Sequence, residues 1–112
     1  MKLSDIISEL ELEVLNKGPI NKDVDIQNGY ACDLLSQVLA SVKSDSIWIT
    51  IQSHLNIIGV ATMAGIKAIV VCEDHDVPGE VISKADEENV ALLKSGQNAF
   101  QLSGKLYERG IR

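Results

Sequence analysis

The sequence is poor in several things that would each point to a function. Cysteine occurs only twice, as Cys32 and Cys72, each alone in apolar sequence. That is not the framework of a small disulfide-stapled secreted domain, and two reduced thiols in a cytoplasmic protein are expected. Aromatic residues make up 4% of the chain, too few to build a stacking platform for single-stranded nucleic acid. Basic residues are outnumbered, 10 Lys and Arg against 16 Asp and Glu, giving a net charge of −6. A surface that neutralises phosphate backbones needs the opposite balance, so no nucleic-acid partner is expected. No apolar run approaches the roughly 20 residues of a membrane span, so no membrane partner is expected either. Asp5 and Glu9 also interrupt the place where a signal peptide would carry its apolar stretch.

What remains is an ordinary globular composition, with 46% hydrophobic and 23% charged residues. A chain of 112 residues suits a single domain, 1–112, with enough core to fold without disulfides.

Order along the chain is more informative. Leu3, Ile6, Ile7 and Leu10 fall on one stripe of a short helix. Leu12 to Leu15 alternates with period two and stops at the turn cluster Asn16 to Pro19. Val24 to Ile26 reads as a further strand, followed by a turn at Asn28-Gly29. A helix from Tyr30 carries Leu34, Leu35, Val38, Leu39 and Val42 on one face. Ile47 to Ile51 is β-branched and aromatic, as in a strand covered on both sides. A buried helix from Leu55 to Gly65, a strand from Ala68 to Cys72, a helix from Pro78 to about Glu88, a strand from Val90 to Leu93 and a final helix to about Gly110 follow. Such alternation predicts an α/β fold with a mostly parallel sheet and helices on both faces.

Ligands of open parallel sheets collect at the carboxyl ends of the strands. Three loops lie there on this reading: Gln52 to Asn56, Glu73 to Asp76 and Lys94 to Asn98, with the Asn28-Gly29-Tyr30 turn beside them. Gln52, Ser53, His54, Asn56, Ser95, Gln97 and Asn98 are the candidate ligand-binding residues, offering amides, hydroxyls and an imidazole. Polar loops also simply face water. Glu73, Asp74 and Asp76 have the chemistry to hold a hard cation such as Mg²⁺, although an acidic cluster at a helix start is favoured by the helix dipole alone. His54 and His75 lie in no zinc motif, and Cys72, ending an apolar strand, reads as a small core residue. The run from Gly59 to Lys67 fails the phosphate-loop spacing, and no hydrolase or kinase signature is present. No catalytic residue and no cofactor is therefore expected.

The segments Gly29 to Ala40, Ile47 to Ile58, Gly65 to Val71, Ala91 to Ser95 and Ala99-Phe100 together resemble the DRTGG domain, over about Asp25 to Ile111. The opening helix with Leu12 to Leu15 and Gly18 is similar to the N-terminal domain of HPr kinase/phosphorylase. Where the family carries a Gly-Asp-Arg-like turn, this chain reads Gln52-Ser53-His54. Where the family carries a Thr-Gly-Gly-like turn, it reads Cys72-Glu73-Asp74. The resemblance implies a three-layer α/β/α sandwich, often dimeric, that accompanies CBS, pyrophosphatase or acyltransferase modules and regulates them, sometimes near a nucleotide site. Small stand-alone members, some encoded near iron-hydrogenase genes, are the nearest type. HPr kinase activity itself belongs to a separate P-loop domain.

The expectation that follows is a non-catalytic regulatory or assembly module. It would form a homodimer and sense a small anionic or nucleotide ligand at the strand carboxyl edge. The alternatives are a protein-docking subunit without ligand and a small metal-dependent enzyme using His54 or His75 as base.

Overall fold

A computed structural model describes all 112 residues. In chain order the elements are α1 (Leu3–Glu9), β1 (Glu13–Val14), β2 (Asn28–Ala31), α2 (Leu35–Ser41), β3 (Ser46–Thr50), α3 (Asn56–Ala64), β4 (Ala68–Val71), α4 (Gly79–Glu87), β5 (Ala91–Lys94) and α5 (Ala99–Glu108). They form one five-stranded sheet in the order β1-β5-β4-β3-β2. β2, β3, β4 and β5 run parallel, and β1 alone is antiparallel, against β5. The expected mostly parallel three-layer sandwich is the fold observed.

The two faces are assigned by strand alternation. Ile47, Ile49, Ala68, Val70, Ala91 and Leu93 join Leu3, Ile6, Leu102 and Leu106 of α1 and α5 in one buried cluster. Trp48, Ile69, Val71 and Leu92 join Val38, Ile57, Ala61, Val81 and Ala85 of α2, α3 and α4 in the other. Because both faces of β3, β4 and β5 are covered, these strands read as continuous apolar runs, the pattern by which they were legible. The α3 helix stops where expected. Gly65 takes the left-handed conformation at its end, with φ of 73°. An alanine there adds a Cβ that strains this conformation, and its Cβ would lie 3.4 Å from Ser44 Cβ. Gly65→Ala is expected to cost about 1–2 kcal/mol, measured as a fall in the urea midpoint at unchanged slope. No loss would mean that the chain end of α3 relaxes freely.

The first third departs from the sequence expectation. Val24 to Ile26 is not a strand; only Asp25 forms a single bridge, to Lys2. The strand comes later, over Asn28 to Ala31, where a turn and a helix start were expected. Gly29 uses no positive φ. Its register against Ile47, with Tyr30 against Trp48, shows that the ladder offered by β3 outweighs the local turn preference of Asn-Gly. Helix α2 accordingly starts five residues later than expected. Its buried face narrows to Val38, while Leu34 and Leu39 are exposed.

Candidate functional site

Since β2, β3, β4 and β5 are parallel, the segments that follow them share one end of the sheet. These are Cys32 to Leu34, Ile51 to Leu55, Cys72 to Pro78 and Ser95 to Asn98. The Asn28-Gly29-Tyr30 segment lies at the opposite, amino end, opposite Ser46 at the start of β3. It does not border the candidate loops. Its place is taken by Asp33, which lies between β2 and α2 and not inside the helix expected from Tyr30. The Asp33 carboxylate accepts from Thr50 Oγ1 at 2.8 Å and from the Ile51 amide at 2.9 Å, while its carbonyl accepts from Gln52 Nε2 at 3.1 Å. The signal that would have found it was strand β2 itself, once placed over Asn28 to Ala31 rather than Val24 to Ile26.

The seven candidate residues divide by what the fold already asks of them. Asn98 caps α5, its side chain accepting from Gln101 N at 2.8 Å while Gln101 Oε1 accepts from Asn98 N at 3.1 Å. This reciprocal box satisfies helix donors that a bound anion would otherwise use. His54 precedes α3 and makes a local bond, Nδ1 accepting from Asn56 N at 3.2 Å. Gln52 is engaged by Asp33. Ser95 is buried and its hydroxyl accepts from Gln97 N at 3.1 Å. Ser53 and the Asn56 side chain make no hydrogen bond of their own, and Asn56 is exposed. Gln97 differs from the rest. Its Oε1 is buried and accepts no hydrogen bond from the chain. An acceptor removed from water without a donor costs free energy, so this oxygen favours a ligand that donates to it.

Two of the loops are tied together. Glu73 N donates to Gln97 O at 2.9 Å and Asp74 N to Ser95 O at 3.0 Å. Glu73 and Asp74 both hold positive φ, 60° and 58°, a conformation that costs a non-glycine residue energy and that these two bonds help maintain. The carboxylates do not converge on a cation position. Asp74 and Asp76 lie 3.9 and 3.7 Å from Lys94 Nζ, and no three His, Cys, Asp or Glu side chains group closely enough to hold a metal ion. Cys72 is buried, and burial pushes its thiol above the usual range, with the charges of Glu73 and Asp33 adding to the effect. It remains a thiol, donating to Thr50 O at 3.5 Å, and so is a poor nucleophile.

The edge as a whole is acidic and open. Asp33, Glu73, Asp74 and Asp76 lie in the segments at this end, and Asp74 and Asp76 approach Lys94. None of the hollows in the surface is lined by the seven candidate residues. Large apolar side chains stand exposed at this same end: Leu34 at 63%, Ile51, Leu55 and, in the first turn of α5, Phe100 at 87%.

The sequence profile of the DRTGG domain matches residues 5–108. Among solved structures, the chain is similar to the CBS and DRTGG domains of the regulatory region of Clostridium perfringens pyrophosphatase, complexed with its activator diadenosine tetraphosphate. The TM-score is 0.73 at 17% identity, over 92% of this chain and 44% of that one. At that identity the likeness shows the fold, and this chain spans less than half of that structure. No curated protein matches the sequence. No helix is long and apolar enough to cross a membrane.

Proposed function

This chain belongs to the DRTGG domain family, and from that membership we propose that it is a non-catalytic regulatory module. It senses a small anionic or nucleotide ligand at the carboxyl edge of its sheet and works as a homodimer or against a partner protein. The hydrogenase-associated setting implied for small stand-alone members is part of this proposal. One observation carries the location: the unpartnered, buried Gln97 Oε1 at the junction of two mutually bonded loops. The ligand part that fits there is a hydrogen-bond donor, as the amino or hydroxyl groups of a nucleoside are; the acidic surroundings favour placing the phosphates away from Asp74 and Asp76. The absence of an enclosing hollow, together with the exposed Leu34, Ile51, Leu55 and Phe100, supports a site whose second wall is another protein surface. The same apolar residues are the observation that favours the alternative, a docking subunit with no ligand.

The test is thermal unfolding against a panel of nucleotides, phosphorylated metabolites and divalent metals, with the mass in solution measured in parallel. A ligand at about a hundred times its Kd adds roughly 2.7 kcal/mol to stability, a rise in Tm on the order of 10 °C. Gln97→Met keeps the side-chain length and removes the orphan acceptor. It is expected to leave the free protein as stable or slightly more so, and to abolish most of the ligand-induced rise. An undiminished rise in the variant would remove Gln97 from the site. A panel without any rise, for a chain that is dimeric, would favour the docking subunit.

A further inference from the structure

Helices α2 and α3 carry no Asp, Glu, Lys or Arg, and neither do the stretches 34–42 and 46–66 that contain them. With 23% of the chain charged, two surface helices would ordinarily hold several. The other three do: Asp5 and Glu9 in α1, Glu80, Lys84, Asp86 and Glu87 in α4, Lys105 and Glu108 in α5.

Helix α3 is the centre of its layer, packed between α2 and α4. Ile57, Ile58 and Ala61 fill its inner side. Its outer side presents Asn56, Gly59 and Met63, all exposed, Met63 at 75%. A helix that is apolar nearly all round is normally a buried one, yet this helix is covered on one side only. Leu39 of α2 is exposed in the same layer, and Leu34 and Leu55 continue the apolar surface to the carboxyl edge. Thr62 and Gln37, polar side chains of these helices, already bond within the chain. Thr62 Oγ1 donates to Ile58 O at 2.9 Å, and Gln37 Nε2 donates to Ser41 Oγ at 2.8 Å. Covering them therefore strands no donor of theirs that water alone had satisfied. Gly59 takes no positive φ, and a Cβ there would meet nothing within 4 Å. Neither conformation nor packing inside the chain requires glycine, which is a poorer helix former than alanine. What it offers is close approach to the helix backbone from outside.

Charge and size say what covers this face. Each copy has a net charge of −6, and two copies repel where their charged surfaces meet. On the α2-α3 face a second copy docks with no like charges opposed, and depletion of charge is what marks the core of an interface. About twenty residues of 34–42 and 51–65 reach the surface, the number a standard interface takes from each partner. We infer that this face is the interface of a homodimer, with α3 packed on its counterpart at Gly59. The inference rests on the homodimer named above and assigns it to one face.

Sedimentation equilibrium of the whole chain over a concentration series tests it. The wild type is expected to be a dimer whose association strengthens as salt screens the net charge. Met63→Glu and Leu39→Glu each introduce a carboxylate into the covered face and should weaken association by at least about thirtyfold. Both positions are exposed, so the dissociated variants should keep the circular dichroism of the folded chain. Phe100→Glu, an exposed position on α5 across the sheet, should leave association unchanged. A dimer untouched by Met63→Glu and Leu39→Glu, or one that Phe100→Glu dissociates instead, would overturn this face and leave the homodimer standing. Association that weakens with salt would reveal paired charges and overturn the face as well. A wild type that stays monomeric at every concentration would overturn the homodimer and this face together, and leave the surface to a different protein.

Discussion

Trp48→Ala is expected to lower the free energy of unfolding by about 3–5 kcal/mol. Trp48 is fully buried at the centre of β3, among Val38, Ile57, Ile58, Ile69 and Val71 of the α2-α3-α4 side. Truncation removes the largest apolar side chain of that cluster and leaves a cavity its neighbours fill only in part. It also strands the Cys32 carbonyl, which accepts from the indole nitrogen at 2.8 Å. Domains of this size are commonly stable by about 5–15 kcal/mol, so the Tm should fall on the order of 15 °C or more. Trp48→Phe separates the two contributions, keeping a ring but losing the donor, and should cost about 1–3 kcal/mol. Urea unfolding followed by circular dichroism is the measurement, since the only tryptophan disappears with the mutation. A loss below about 1 kcal/mol for the alanine variant would contradict the packing described.

The second large effect concerns a residue that looks like a plain turn former. β1 leaves the sheet after Leu15, whose amide donates to Leu92 O at 2.9 Å. The next position in the ladder is taken by a side chain. Asn16 Oδ1 accepts from Leu92 N at 2.7 Å, and its Nδ2 donates to Val90 O at 2.9 Å. The same nitrogen reaches Asp86 Oδ1 at 3.1 Å on α4, and Asp86 Oδ2 accepts from Lys17 N at 3.2 Å. Asn16→Ala leaves the backbone of two buried residues unpaired and is expected to cost about 2–3 kcal/mol.

This loss should depend on pH. The Asn16 amide, with the Lys17 and Gly18 backbone, holds the Asp86 carboxyl below the usual aspartate range. A carboxylate whose pKa is depressed by folding contributes stability above its unfolded value of about 3.9 and loses it as pH falls through the folded value. The difference between wild type and Asn16→Ala is therefore full at neutral pH. It should shrink below about pH 5, as the unfolded chain begins to take up the proton. A difference that stayed constant down to the acid transition would show that the Asn16–Asp86 contact contributes nothing and that only the ladder bonds matter.

Both residues show where sequence reading reached its limit. Trp48 stood in a β-branched, apolar run, and two-sided burial follows from that pattern alone. Asn16 stood in Asn-Lys-Gly-Pro, a turn by every local rule, and its role depends on Val90 and Leu92, more than seventy residues away in sequence. The candidate site divides in the same way. That the loops after β3, β4 and β5 share one end was legible, because three apolar strands alternating with helices admit little else. That Asn98 caps α5 was within reach of local rules, since Gln101 follows it three residues later. That Gln97 keeps an unpaired oxygen, or that Asp33 replaces Asn28 beside the loops, was not. Those depend on which segment pairs with the open side of β3.

Periodicity and composition by themselves thus determined the class of fold, the two-sided core of β3 to β5, and the place of α3 and its glycine stop. These follow from which residues avoid water and at what spacing, and that preference is written locally. The tertiary structure decided the sheet edges. It made a strand of Asn28 to Ala31 and set Asn16 into a ladder. Edge strands have a single neighbour and one partly open face, so their own sequence constrains them weakly, and the partner's free hydrogen bonds settle what they become.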